Sequence, residues 1–337
     1  MTQKMNRQIT LASRPEGEPT PDNFKLVETA IGTPERGQVL VQSLYLSLDP
    51  YMRGRMSAAK SYAASTEIGD VMTGGVVGRV VESKHAGFKP GDIVNGTIGW
   101  QEYGLLDGAE LRKIDPALAP ISTAVGVLGM PGLTAYFGLF EIGKPRPGET
   151  VVVSAASGAV GAVVSQLAKI AGARVVGIAG GPDKCAYVKD TLGVDAVIDY
   201  KAEKDLAAAL AKACPKGIDV YFDNVGGPVT DAVATLFNLR ARMVVCGLIS
   251  HYNMPNGYSG PSILRSVLTN RVTIQGMIVF DWYSRWPEGL ARLGQFVRSG
   301  QLKYKEDIVD GLENAPATFI GMLNGKNFGK TLVKIAE

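Results

Sequence analysis

Thr150-Val151-Val152-Val153-Ser154-Ala155-Ala156-Ser157-Gly158-Ala159-Val160-Gly161 passes from a short β-branched apolar run, through a turn of small residues, into a helical pattern that continues to Ala171. That order predicts a buried strand, a turn whose backbone a pyrophosphate can approach at Gly158, and a helix that Gly161 allows to sit close to the sheet. Ala156 stands where the usual fingerprint has its first glycine, so the string reads A-x-G-x-x-G. By itself it is equally a strand-to-helix corner of small residues that binds nothing.

The surroundings favour the nucleotide reading. Apolar runs recur at 174–179, 196–200, 219–222, 242–247 and 272–279, with helical patterns between most of them. Such alternation predicts an α/β domain with a doubly wound parallel sheet. After the glycine turn, Ala162, Val163, Gln166, Leu167 and Ile170 fall at helical spacing, which turns one helix face onto that sheet.

The chain has 337 residues, 46% of them hydrophobic, enough for a large core divided between two domains. A net charge of +3, with no cluster of Lys and Arg interleaved with aromatics, argues against a nucleic-acid partner. No apolar block follows residues 1–10 and no window reaches bilayer-spanning length, so no membrane partner is expected. Cys185, Cys214 and Cys246 are odd in number and far apart, which suggests neither a disulfide framework nor a thiolate cluster and fits a cytoplasmic location.

The first part of the chain reads as β-rich at 38–46, 71–81 and 92–98, punctuated by Pro34, Gly74-Gly75 and Lys89-Pro90-Gly91-Asp92. Many short strands with glycine turns predict a partly open barrel. Phe328 to Ile335 looks like a final strand returning to it, which makes the nucleotide domain an insertion.

Several strings together are more specific: Tyr45-Leu46-Ser47-Leu48-Asp49-Pro50-Tyr51-Met52-Arg53-Gly54, Gly129-Met130-Pro131-Gly132-Leu133-Thr134-Ala135-Tyr136, Asp223-Asn224-Val225-Gly226-Gly227, Cys246-Gly247-Leu248-Ile249-Ser250, and the segment from Glu313 to Lys330. With the late glycine turn, they resemble the medium-chain dehydrogenase/reductase superfamily, in its zinc-free branch of prostaglandin and alkenal double-bond reductases. The resemblance covers essentially the whole chain. It implies a GroES-like domain at 1–123 and 301–337, a Rossmann NADP-binding domain at 124–300, NADPH as cofactor and a homodimer through an edge strand, for which Val272-Thr273-Ile274 is the candidate.

Charge bears on the choice of nicotinamide cofactor. NAD sites place a carboxylate after the second strand, whereas NADP sites need a cation there. Here the second strand runs into Gly180-Gly181-Pro182-Asp183-Lys184, and the resemblance assigns Lys184 to the 2′-phosphate, with Tyr200 nearby. The alternative is that Asp183 caps the next helix and Lys184 is merely solvated. The resemblance further implies that Ala156, Ser157, Gly158, Ala159, Val160 and Gly161 hold the pyrophosphate. It implies that Asn224 and the turn Cys246, Gly247, Leu248 and Ile249 approach the ribose and nicotinamide, and that Met277, Ile278 and Val279 lie along the nicotinamide. Pro50, Met130, Thr134 and Asn327 complete that set. Met130 and Met277 read equally well as core methionines, Pro50 as a turn former and Asn327 as a loop residue.

The chain has only His85 and His251, and the stretch around Asp49-Pro50-Tyr51 lacks the cysteine of zinc-dependent alcohol dehydrogenases, so no metal is expected. Chemistry without a Lewis acid then rests on positioning and on hydrogen bonds to the oxygen where charge develops. A conjugated enone or enal suits this: hydride adds to the β-carbon, the enolate oxygen takes a hydrogen bond, and the α-carbon is protonated. Tyr252 is the leading donor and Tyr62 the second, because a phenol of ordinary pKa about 10 stays protonated near neutrality. Tyr51 belongs to the substrate wall. The alternatives are aromatic packing for Tyr252 and a surface loop for Tyr62. At the level of function, a quinone reductase and a non-catalytic, crystallin-like NADPH binder remain open.

Overall fold

The computed structural model describes residues 5–337 and separates into two compact units, one running to Gly126 and resuming at Glu306–Glu337, the other Val127–Lys305. In chain order the first unit opens with β1 (Met5–Leu11), β2 (Phe24–Ala30), β3 (Gln38–Ser47), α1 (Met52–Arg55), β4 (Val76–Ser83), β5 (Ile93–Gly96), β6 (Tyr103–Asp107) and β7 (Arg112–Ile114). The second contains α2 (Met130–Phe137), β8 (Thr150–Val153), α3 (Gly161–Ile170), β9 (Arg174–Ala179), α4 (Pro182–Ala186), β10 (Ala196–Asp199), α5 (Leu206–Ala213), β11 (Ile218–Asp223), α6 (Gly227–Ala234), β12 (Phe237–Val245), α7 (Leu264–Asn270), β13 (Thr273–Gly276) and α8 (Trp286–Arg298). The chain ends in the first unit with β14 (Glu306–Asp310), α9 (Ala315–Leu323) and β15 (Lys330–Lys334). Ala124 and Val125 stay with the first unit because they pack with Val77 and Leu332, whereas Leu302 lies in the core of the second.

In the second unit six parallel strands run in the order β10-β9-β8-β11-β12-β13. The central strand β8 is buried at every residue, as its β-branched run requires in a sheet covered on both faces. On one face Leu133, Phe137, Val163 and Leu167 pack with Val151, Val153 and Phe222. On the other, Val152, Val176 and Tyr221 pack with Leu210, Val229 and Val233. Strand order reverses between β8 and β11, and in such sheets ligands settle beyond the carboxyl ends of the strands at that reversal.

In the first unit the long strand β3 has β4 on one side and, on the other, β6 along its first half and β15 along its second. Register shifts between Leu40 and Val41 and between Ser43 and Tyr45 bend it, as a partly open barrel requires. Its core stacks Phe24 on Trp100, with Phe319 edge-on to both. Two sequence readings are corrected. Strand β4 starts only at Val76, because Gly74-Gly75 interrupts the expected 71–81 run and Val71 makes a single bridge to Thr10. The 272–279 run is strand only from Thr273 to Gly276, after which Met277 and Val279 turn into the core.

Candidate cofactor and substrate site

At the reversal the ends of β8 and β11 are tied together by hydrogen bonds of Ser154 with Asp223 and Asn224. The Asn224 backbone amide donates to Ser154 Oγ (2.8 Å), the Asn224 side-chain amide donates to the Ser154 carbonyl (2.8 Å), and Ser154 Oγ donates to Asp223 Oδ1 (3.2 Å). Asp223 is fully buried and accepts further bonds from the Tyr221 hydroxyl (2.9 Å), the Val225 and Gly226 amides (2.9 Å each) and Thr230 Oγ1 (2.5 Å). Its carbonyl accepts from the amides of Cys246 (2.9 Å) and Gly247 (3.1 Å). One residue thus fixes where β11, the start of α6 and the end of β12 lie. A buried carboxylate with no cation is tolerable only with such a set of donors.

The glycine turn joins β8 to α3, and its departure from the fingerprint has a packing reason. Ala156 is buried, and a Cβ on Gly177 of β9 would stand 3.0 Å from its methyl, so Gly177 leaves room for the Ala156 side chain. The left-handed conformation falls one residue earlier, at Ala155 (φ 48°). A Cβ on Gly161 would lie 2.2 Å from the Ala155 carbonyl oxygen, so any larger residue would push the helix off the turn. Ser157 is buried, while Gly158, Ala159 and Val160 are half-buried, and α3 starts at Gly161 with the amides of its first turn at this end.

Beyond β9, Gly180 exists because of Tyr200: a Cβ there would meet the tyrosine ring at 2.6 Å. Gly181 is left-handed (φ 95°), with open space where a Cβ would point, and it caps α4. Asp183 therefore sits inside the first turn of α4 and is not its cap. The carboxylate at this corner is Asp199, which accepts from the amides of Gly181 (2.9 Å) and Lys201 (3.0 Å). These bonds, led by that from Gly181, hold its carboxyl below the usual range. The half-buried Lys184 follows one turn into α4.

The end of β12 forms the third wall. After Cys246 and Gly247, the amides of Ile249 and Ser250 reach the carbonyls of Asn224 (3.5 Å) and Val225 (3.1 Å), so the turn lies along the β11 end. Tyr252 follows, half-buried, its hydroxyl accepting from the Leu248 amide (3.3 Å). Of the other candidates in this unit, Met277 and Val279 are buried in the core, Met277 filling the space beside Gly138, while Ile278 is half-buried. Met130 opens α2 and packs against the same core, and the Thr134 hydroxyl is bonded to the Met130 carbonyl (2.8 Å).

In the first unit, Pro50 and Tyr51 lead into α1 immediately after a buried ion pair, Asp49 with Lys330 (2.8 Å); Lys330 also donates to the Leu48 carbonyl (2.7 Å) and Ser47 donates to Asp49. The Arg55 guanidinium lies 4.5 Å from the centre of the Tyr62 ring and 5.5 Å from that of Tyr51, joining the two phenols across a loop in which Tyr62 is otherwise exposed. Burial, then the Asp49 charge, pushes the Tyr51 phenol well above its usual range and keeps it protonated. Asn327 donates to the Gly329 carbonyl (3.2 Å) at the entry to β15.

Residues 7–114 match the family described as the N-terminal domain of oxidoreductase, and residues 159–295 match the family described as zinc-binding dehydrogenase. The chain is 51% identical to the NADPH-dependent curcumin reductase of Escherichia coli K12, over 98% of this chain and 97% of that one. It belongs to the medium-chain dehydrogenase/reductase family. A 2-alkenal reductase (NADP(+)-dependent) of Nicotiana tabacum is 42% identical over 98% of both chains. The crystal structure of CurA from Vibrio vulnificus in complex with NADPH is 51% identical, covers 98% of this chain and 99% of its own, and superposes with a TM-score of 0.94. Although one family description mentions zinc, no group of three His, Cys, Asp or Glu side chains able to hold a metal ion occurs among the described residues of this medium-chain dehydrogenase/reductase.

Asp223, Ser154, Asp199 and Arg55 are not among the site residues that the sequence points to. A carboxylate closing an apolar strand at Asp223, and another at Asp199, was the available signal. The thiol of Cys246 is pushed up to about 12 by burial and then by the Asp223 charge. It stays protonated at neutral pH and holds its turn as a packing group rather than as a nucleophile. Iodoacetamide at pH 8 is expected to alkylate the half-buried Cys246 about 10- to 100-fold more slowly than an unperturbed thiol, with the rate still rising above pH 10. Peptide mass mapping checks this, and labelling as fast as that of a free thiol would contradict it.

Proposed function

We propose that this chain is an NADPH-dependent reductase of the conjugated C=C bond of enones and enals. The observation that carries the reading is the corner after β9, where bare backbone at Gly180 and Gly181 precedes Lys184, on a sheet whose reversal point is built as dinucleotide sites are. The near full-length likeness to reductases named for curcumin and 2-alkenals supports the acceptor class.

The residues present fit the cofactor. The turn from Ala156 to Gly161 offers close backbone approach and the first-turn amides of α3 to a pyrophosphate, and Lys184 offers an ammonium to a 2′-phosphate. Tyr200, braced on Gly180, offers a ring face beside them. Asn224 and the turn from Cys246 to Ile249 take the ribose and nicotinamide end, and Ile278 flanks it through its half-buried side chain. Met277, Val279, Met130 and Thr134 support that end from the core. Pro50 and Asn327 are assigned to the same set in the first unit.

When bound, the reduced nicotinamide supplies a hydride to the β-carbon of the acceptor. Tyr252 gives a hydrogen bond to the carbonyl oxygen as negative charge moves onto it, a role for which a neutral phenol is suited. Tyr62, with Tyr51 beside it, is assigned to the acceptor, Tyr62 as the second proton source and Tyr51 as wall. Arg55 holds both rings and needs no contact with the acceptor itself.

The partner is a second copy. Edge strand β13 leaves all four of its residues exposed, and Leu264, Leu268, Ile274, Phe280 and Tyr283 are large exposed apolar groups of the same unit. An unpaired edge flanked by apolar surface is satisfied by pairing with its own copy about a two-fold axis. Three cysteines without disulfides, and no described helix long and apolar enough to cross a membrane, support a cytoplasmic location.

Three outcomes are expected. Lys184→Ala weakens NADPH binding by about 10- to 150-fold and leaves NADH nearly unchanged; cofactor fluorescence titration measures this, and equal losses would exclude the phosphate contact. Tyr252→Phe lowers kcat on an enone by about 100-fold, followed by NADPH absorbance against alkenals, alkenones, diarylheptanoids and quinones. Oxidation of NADPH by quinones alone, or by none of these acceptors, would defeat the enone reading. Sedimentation velocity is expected to give the mass of a dimer, and a monomer at micromolar concentration would refute the edge pairing.

A further inference from the structure

Beyond Tyr252 the segment runs out over the surface, and much of 254–262 is exposed. Its turns close locally, with the His251 amide on the Leu248 carbonyl (2.8 Å), Met254 on His251 (2.9 Å) and Gly257 on Met254 (3.2 Å). Further along, a side chain of this segment is fastened to α6: the Tyr258 hydroxyl donates to Asp231 Oδ2. The Tyr258 ring lies flat on His251, centroids 5.1 Å apart and planes 11° from parallel. His251 Nε2 is buried and has no hydrogen-bond partner among the described residues, so contact with its neighbours holds that side of the ring.

The backbone beneath is cleared for this stack. A Cβ on Gly226 would stand 3.0 Å from His251 Nε2, and one on Gly227 would stand 3.0 Å from Ser250 Oγ. Both glycines are left-handed, and Gly226 donates to the Asp223 carboxylate. The imidazole is thus pressed between the start of α6 and the Tyr258 ring, and the next residue along the chain is Tyr252.

We propose that Tyr258 and Asp231 are positioning residues for the reduction, holding the His251 ring against α6 and through it setting where the Tyr252 hydroxyl stands. The inference rests on the reading above that Tyr252 hydrogen-bonds the acceptor. Tyr258 and Asp231 act through His251, and neither is assigned a contact with the acceptor or the cofactor. They replace the freedom of an exposed loop with one placement, and a donor displaced by about 1 Å forfeits a large part of its effect.

The test is a mutant cycle on the full-length enzyme, with kcat and KM on an enone and the NADPH dissociation constant measured separately. Tyr258→Phe keeps the stack and removes the donor, and it is expected to lower kcat about tenfold with NADPH affinity unchanged. Asp231→Ala gives the same loss, and the double variant is no worse than either, because both remove one bond. Asp231→Asn, whose amide oxygen still accepts, restores most of the rate. In a Tyr252→Phe background, Tyr258→Phe has no further effect on kcat. Wild-type kcat in Tyr258→Phe beside an impaired Tyr252→Phe overturns the latch alone. An undiminished effect of Tyr258→Phe in the Tyr252→Phe background, or a matching loss of NADPH affinity, also overturns it. Full turnover by Tyr252→Phe overturns the donor reading and the latch together.

Discussion

The buried carboxylate of Asp223 is the constraint on which the cofactor side of this molecule depends. Four strand and helix ends converge on it: the Ser154 hydroxyl from the end of β8, the Tyr221 hydroxyl from β11, the Gly226 amide and the Thr230 hydroxyl from the start of α6, and the Cys246 and Gly247 amides, which reach its carbonyl from the end of β12. A charge at this depth is very costly without partners, so the donors cannot drift apart independently. The burial that makes the carboxylate expensive also raises its neighbours: the Tyr221 phenol is held well above its usual range by burial first and the Asp223 charge second, and the Cys246 thiol is treated in the same way. The Tyr221 and Cys246 side chains thereby stay protonated while the loops around them are held in one arrangement.

From that fixed point the glycines mark where backbone must come close. Gly161 lets α3 approach the Ala155 carbonyl, Gly180 admits the Tyr200 ring, and Gly226 admits the His251 ring. These are three different uses of a missing Cβ. The first serves the packing of a helix, and the other two make room for an aromatic side chain from a distant part of the same unit. In the first unit the corresponding fixed point is the Asp49–Lys330 pair, which locks the end of β3 to β15 just before Pro50 and Tyr51. Breaking such a pair strands a buried charge, which explains why so polar a contact persists in a barrel core.

Periodicity and punctuation made much of the fold legible. The β-branched run ending at Val153, the small-residue turn and the apolar helix face after Gly161 are local properties, and local sterics dictate them. The same holds for the alternation that produced the parallel sheet. The ends of elements were less legible: Gly74-Gly75 stopped β4 from extending back to Val71, and the 272–279 run divided because Met277 and Val279 are drawn into the core. The alternative in which Asp183 caps α4 does not hold for a related reason, since Gly181 stands at the cap and Asp199, 16 positions beyond Asp183, accepts from its amide.

What the sequence determined by itself was the order of strands and helices, the glycine turn with its displaced first position, and a set of short strings whose joint resemblance named the family. Each depends on residues near one another along the chain, where backbone sterics and side-chain spacing act directly. What only the tertiary structure decided was which polar groups meet: Ser154 with Asp223 and Asn224, Arg55 with Tyr51 and Tyr62, Tyr258 with Asp231 and His251. Partners separated by up to 70 residues are joined by the arrangement of whole strands and loops, and no local pattern of residues records which distant donor a buried acceptor will receive.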